Sequence, residues 1–211
     1  MEEQLKTGTT TLGLVCNDGI VLAADKRATT GYFIANKNVT KVHDINDKLV
    51  LTMAGTVSDI QLLIKLIKAE LKLKKMRTGR DLTVKEAANL LAGMVYSNIR
   101  KFSVIPGVSH FILGGKDKTE FHLYDVFADG SITEIDDYVS SGSGSVMAYG
   151  VLETLYKKNM SVDEGIKLAA KSLNAAIQRD IASGSGFDIV TITKDGIKRV
   201  VSKDLPVKVE A

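Results

Sequence analysis

Lys6-Thr-Gly-Thr-Thr-Thr-Leu-Gly-Leu-Val-Cys16 marks a change of character in the chain. The residues up to Gly8 are largely polar and carry no period. From Thr9 the sequence is β-branched and apolar, as a strand requires. Asn17-Asp18-Gly19 follows, and then Ile20-Val-Leu-Ala-Ala24, so two strand-like runs flank an Asp-Gly turn and predict a hairpin. The junction also has a chemical reading. A cut between Gly8 and Thr9 would leave Thr9 with a free α-amine beside its own hydroxyl. A hydroxyl is a poor nucleophile until a base takes its proton, and an α-amine titrates at about 7.7 to 8.0, low enough to be that base.

Outward from this hairpin, Thr40–His43 and Leu49–Met53 predict two more strands. Helices are announced by a hydroxyl residue with an acid three positions later: Thr56 with Asp59, Thr83 with Glu86, Ser161 with Glu164. Each pair precedes apolar residues at helical spacing, such as Ile60, Leu63, Ile64, Ile67 and Leu71. A shorter helix is expected from Ser145 to about Lys157, after the Ser-Gly loop 140–145. Strand-like runs lie at 110–113, 121–126 and 131–135, and a last hairpin at 188–193 and 197–201. The order is strands, two helices, strands, two helices, strands. Without regular βαβ alternation a doubly wound parallel sheet is disfavoured, and stacked sheets covered by helix pairs are expected.

Composition narrows the class. The 211 residues are 45% hydrophobic and 25% charged, enough to bury a core without staples. The single Cys16 forms no internal disulfide. No apolar run approaches the roughly 18 residues of a membrane span, and Met1-Glu-Glu-Gln-Leu-Lys6 lacks the apolar segment of a secretory signal. A net charge of +3 does not by itself imply a nucleic-acid partner. The basic cluster Lys65, Lys68, Lys72, Lys74, Lys75, Arg77 and Arg80 reads as the solvated face of a helix. No G-x-S-x-G, P-loop or G-x-G-x-x-G occurs, and His43, His110 and His122 lack the spacing of a metal site. Cys16 lies in an apolar run and is expected to be packed and inert. The tract Ser140-Ser-Gly-Ser-Gly-Ser145 opens a helix, so it is read either as an anion-holding turn or as a plain flexible one.

Several separated motifs, in order, carry a resemblance over residues 9–193. They are Thr7-Gly-Thr-Thr-Thr11, Ala24-Asp-Lys-Arg27, Thr40-Lys-Val-His43, Met53-Ala-Gly55, Ser141-Gly-Ser-Gly-Ser145 with Tyr149-Gly-Val-Leu-Glu153, and Gln178-Arg-Asp-Ile-Ala-Ser-Gly184. On these the chain resembles the β-subunits of the 20S proteasome, of archaeal type, which are N-terminal-nucleophile hydrolases.

The resemblance implies an α+β fold, the four-layer αββα sandwich of two stacked antiparallel sheets between helix pairs. It implies a propeptide, residues 1–8, removed autocatalytically at Gly8-Thr9, and one domain over residues 9–211. Thr9 is the implied nucleophile and proton acceptor. Lys41 would lend a cation and Asp25 would orient it. Gly55 would offer its N–H to the oxyanion, and Ser143, Asp180 and Ser183 would support the Thr9 amine. Arg27, Ala28, Thr29, Val39, Met53 and Val57 are the implied substrate-side residues, with His43 a further candidate. They are mostly small or apolar and include no acid, so chymotrypsin-like cleavage after apolar residues is expected. No cofactor or metal is implied. The implied partners are a homo-heptameric β-ring stacked on a second, proteasome α-subunits, an ATP-dependent unfoldase cap and unfolded protein substrates, all in the cytoplasm. A non-catalytic ring subunit and another N-terminal-nucleophile amidohydrolase are the alternatives. The complete set Thr9, Asp25, Lys41 and Gly55 favours the peptidase.

Overall fold

The computed structural model describes residues 8–205. Of the expected propeptide only Gly8 is therefore described, and the tail 206–211 also lies outside. Twelve strands and four helices are formed among the described residues. β1 (Thr11–Cys16), β2 (Gly19–Asp25), β10 (Tyr138–Ser141), β11 (Gly186–Thr193) and β12 (Gly196–Asp204) make one sheet in the order β10-β1-β2-β11-β12. β5 (Val42–Asp44), β6 (Leu49–Gly55), β7 (Ser109–Lys116), β8 (Phe121–Val126) and β9 (Ile132–Ile135) make a second sheet in chain order. Neighbouring strands are antiparallel throughout both sheets. The helices are α1 (Val57–Thr78), α2 (Val84–Arg100), α3 (Ser145–Leu155) and α4 (Val162–Arg179).

Strand alternation builds three apolar layers from these elements. Leu12, Leu14, Val21 and Ala23 face Leu152, Leu168, Ala169 and Leu173 of α3 and α4. Leu51, Met53, Phe111 and Leu113 face Ile60, Leu63, Ala88 and Leu91 of α1 and α2. The opposite faces of both sheets meet through Ile20, Leu22, Val50, Ile112, Leu123 and Val190. The molecule is therefore helix pair, sheet, sheet, helix pair: the αββα sandwich expected from the sequence. Two glycines bring the sheets close. A Cβ at Gly13 would lie 2.9 Å from Ile112 Cγ2, and one at Gly114 would lie 3.1 Å from Leu22 Cδ1.

Local differences from the sequence reading have physical reasons. β3 (Ala28–Thr30) and β4 (Phe33–Asn36) form a small exposed hairpin with no apolar alternation to betray it. β10 takes up the start of the Ser-Gly tract, because Leu14, Gly13, Leu12 and Thr11 offer it a ladder. The capping boxes at Thr83 and Ser161 form as expected. The one at Thr56 does not. The Thr56 N–H donates instead to Val108 O at 2.8 Å, and Asp59, one methylene shorter than Glu, accepts from Asn98 Nδ2 at 3.1 Å. No helix of the described residues is long and apolar enough to cross a membrane.

Candidate active site

Chain reversals at one end of the two sheets bring six segments together. Thr9 stands two residues before β1, Asp25 ends β2, Lys41 precedes β5, and Gly55 ends β6. Ser143 lies between β10 and α3, and Asp180 and Ser183 follow α4. Residues as distant in sequence as Thr9 and Asp180 thus share one site.

At its centre Lys41 Nζ donates to Thr9 Oγ1 at 2.8 Å and to Asp25 Oδ1 at 2.7 Å. The lysine side chain is 3% exposed and the aspartate 0%, so bulk water does not screen this pair. Burial holds the Lys41 pKa below its ordinary value, the Asp25 charge and hydrogen bond offsetting only part of that. Asp25 is held by four donors. Thr10 N at 3.0 Å and Lys41 share Oδ1, and Arg27 N at 3.0 Å and Gly184 N at 2.9 Å share Oδ2. A carboxylate so satisfied is fixed in place.

A second group surrounds the Thr9 nitrogen, which here is the amide of the Gly8–Thr9 bond. It donates to Ser143 Oγ at 3.2 Å. Ser143 Oγ and Ser183 Oγ each donate to Asp180 Oδ2 at 2.6 Å. Ser183 Oγ also lies 2.6 Å from Thr10 Oγ1. Thr10 was not singled out in the sequence, although the Thr run held the signal. The Ser-Gly turn offers no open anion site at its start. Gly144 N donates to Thr9 O at 3.3 Å and Ser145 N to Gly142 O at 3.1 Å.

Beside Thr9 is a cavity of about 20 Å³, room for about one water. Ala28, Val39, Met53 and Val57 line it, together with Gly8, Thr9, Lys41, Gly55, Ala54 and Ile60. Ala54 and Ile60 were missed because their runs read as plain core. Thr29 stands beside the cavity, its Oγ1 accepting from Gly8 N at 3.2 Å. Arg27 turns away from it, donating from Nη1 to Ile181 O at 2.7 Å and from Nε to Ser185 Oγ at 3.4 Å. His43 does not line the cavity. It is half-buried elsewhere, and burial and Lys68 push its pKa down.

Gly55 has φ +128°, and a Cβ there would lie 2.2 Å from Val108 O. Only glycine takes that backbone at that spacing. Gly8 is glycine for a different reason. A Cβ on it would lie 1.7 Å from the Ala182 Cβ. Cys16 is buried, its thiol pushed up to about 12 by burial and by Asp18 and Glu164, which suits a packed, inert thiol. Among the described residues no group of three or more His, Cys, Asp or Glu side chains is placed to hold a metal ion.

The site's chemistry is that of a hydroxyl with a buried cation at one side, a carboxylate behind the cation, and a hydroxyl-carboxylate network at its nitrogen. Comparison with known proteins gives the family. The family model described as proteasome subunit matches residues 5–192. Proteasome subunit beta 2 of Pyrococcus furiosus is 46% identical over 205 residues, covering 97% of this chain and 96% of the relative. Proteasome subunit beta of Methanocaldococcus vulcanius is 40% identical over 199 residues, covering 94% and 87%. That of Ferroglobus placidus is 44% identical over 194 residues, covering 92% and 90%. With a family match over most of its length and relatives of this identity across nearly whole chains, the protein belongs to the proteasome subunit family, among its β-subunits.

Proposed function

We propose that the chain is a catalytic β-subunit: a threonine endopeptidase that cuts unfolded proteins inside a closed chamber in the cytoplasm. The observation that carries this is the pairing of Thr9 Oγ1 with the buried Lys41 ammonium at 2.8 Å, backed by Asp25 at 2.7 Å. A surface lysine would gain nothing from such a position, since burying its charge is costly. Next to a hydroxyl, the same cation lowers the cost of an alkoxide.

Activation comes first. Thr9 Oγ1 attacks the Gly8 carbonyl carbon, the Oγ1 proton passes to the departing Thr9 nitrogen as the Gly8–Thr9 C–N bond breaks, and an ester joins residues 1–8 to Oγ1. Water hydrolyses the ester. Residues 1–8 leave, and residues 9–211 remain as one domain with a free Thr9 amine. In turnover that amine takes the Oγ1 proton while Oγ1 bonds to the scissile carbonyl carbon. Gly55 N–H faces the oxyanion of the tetrahedral intermediate. The amine then gives its proton to the leaving nitrogen, and an acyl ester on Thr9 is left. Water, deprotonated by the amine, attacks the ester and frees the acid and the hydroxyl. Ser143, Asp180 and Ser183 hold the amine's lone pair toward Oγ1. Lys41 keeps the amine neutral by its charge and is itself kept charged by Asp25.

The lining Ala28, Val39, Met53 and Val57 favours an apolar residue on the acyl side of the cut. Fluorogenic peptides test this: cleavage after Leu or Tyr is expected to exceed cleavage after Arg, and the reverse order would sink it. Homo-heptameric β-rings stacked in pairs, α-subunits at either end and an ATP-driven unfoldase are the proposed setting, since a protease of broad specificity needs walls. Intact mass and N-terminal sequencing, before and after mixing with α-subunits, test the whole reading. A chain beginning at Thr9 after assembly is expected. A chain that keeps residues 1–8 in full particles would leave a structural, non-catalytic subunit as the better account.

A further inference from the structure

Ser141 ends β10, next to Gly142 and two residues from Ser143. Its Oγ lies 2.7 Å from His110 Nδ1, and His110 Nε2 lies 2.5 Å from Asp125 Oδ1. Asp125 only accepts, so Nε2 carries a hydrogen toward it. In the neutral ring Nδ1 is then left to accept the Ser141 hydroxyl. Phe127 lies against the ring in an edge contact, the ring centroids 4.7 Å apart. The order Ser-His-Asp is that of a hydrolytic triad, yet Ser141 is only 4% exposed and closed to any substrate. A different use has to explain it.

The three residues cross from one sheet to the other. Ser141 pairs with Thr11 in the sheet that carries Thr9. His110 pairs with Ala54 and precedes Phe111 in the sheet whose β6 ends at Gly55. The bond therefore links the nucleophile's half of the site to the half that carries Gly55. The turn it holds is packed hard on Thr9: a Cβ at Gly142 would lie 2.1 Å from Thr9 O, and Ser143 Oγ is the acceptor of Thr9 N.

We propose that His110, oriented by Asp125, is a positioning residue for Thr9: through Ser141 it sets where the Gly142–Ser143 turn stands relative to Gly55. The inference rests on the peptidase reading above. Reacting groups must be held within about 0.5 Å of their working geometry. Misplacement by about 1 Å costs on the order of a hundredfold in rate.

The test uses assembled particles carrying His110→Ala, His110→Asn, Ser141→Ala, or the Ala pair. His110→Ala is expected to lower kcat by about tenfold to a hundredfold, with KM changed less than about twofold. The Asn amide oxygen stands where Nδ1 stood and accepts the same hydroxyl, so His110→Asn recovers most of the rate. Ser141→Ala matches His110→Ala, and the double variant is no worse than either. An unchanged kcat, an Asn no better than Ala, or additive losses would overturn the proposal. Where His110→Ala does not assemble, Ser141→Ala and His110→Asn carry the same comparison. Wild-type particles without Thr9-dependent cleavage would refute the peptidase reading instead. His110 would then be judged on crystal structures of the variants. A Ser143–Gly55 separation changed by more than about 0.5 Å supports its role, and an unchanged one ends it.

Discussion

Lys41 keeps an ammonium group where only 3% of its side chain meets solvent, and Asp25 is the reason it can. Burial lowers the lysine's pKa and Asp25 offsets part of that lowering. Asp25→Asn removes the raising influence and leaves the lowering one, so Lys41 loses its proton at lower pH than in the wild type. The expected outcome is a kcat lower by about a hundredfold or more, with the alkaline limb of its pH profile displaced to lower pH. A limb that stays in place, read by stopped-assay kinetics across pH, would detach Lys41 from the rate. At the junction, Gly8→Ala forces a Cβ to 1.7 Å from Ala182 Cβ. The Gly8 carbonyl is then displaced beside Thr9, and on the proposed self-processing, mass spectrometry of assembled particles is expected to find residues 1–8 retained in most chains. What matters at this position is the room that the missing side chain leaves against Ala182.

Helix starts separate two similar-looking sequence signals. At Thr83 the side chain accepts from Glu86 N at 3.2 Å, while Glu86 Oε2 accepts from Thr83 N at 2.8 Å. Arg80 and these bonds hold the Glu86 carboxyl down to about 2. At Thr56 there is no side-chain cap bond. Thr83→Ala is therefore expected to cost about 1 kcal/mol of stability by denaturant titration, and Thr56→Ala a few tenths at most. Equal losses would mean that Thr56 caps its helix after all. The far end of α1 stops where Gly79, at φ +70°, returns its N–H to Lys75 O at 2.9 Å. Lys75 of that helix meets Asp81 of the following turn at 2.7 Å, and Arg80, just beyond the helix, meets Glu86 of α2 at 2.7 Å.

Across the whole molecule, the distance between the two sheets governs the site, because Thr9 and Asp25 belong to one and Lys41 and Gly55 to the other. Gly13 helps to set that distance. A valine there would press on Ile112 and Leu123, whose atoms already stand 2.9 and 3.0 Å from the Cβ position. Gly13→Val is expected to cost about 2 kcal/mol by overpacking and to slow cleavage of small peptides in assembled particles. Loss of stability with full activity would show that the sheets can part without disturbing Lys41 and Thr9. In the opposite direction, Leu123→Ala should cost about 2 to 5 kcal/mol through the cavity left in the same layer.

Much of this protein was legible in its sequence because local physics writes it there. The β-branched and apolar runs at 11–16 and 20–24 about an Asp-Gly turn set the first hairpin, and helical spacing with a capping box sets α2 and α4. The complete set Thr9, Asp25, Lys41 and Gly55 stands out by motif. Tertiary structure decided the rest. β3, β4 and β10 exist because partner strands present them with free ladders, not because their own residues demand it. Ala54, Ile60 and His110 enter the site region only when two sheets are stacked. A bond such as Ser141 to His110 joins residues 31 apart on different sheets, and no local pattern of residues can encode such a distance.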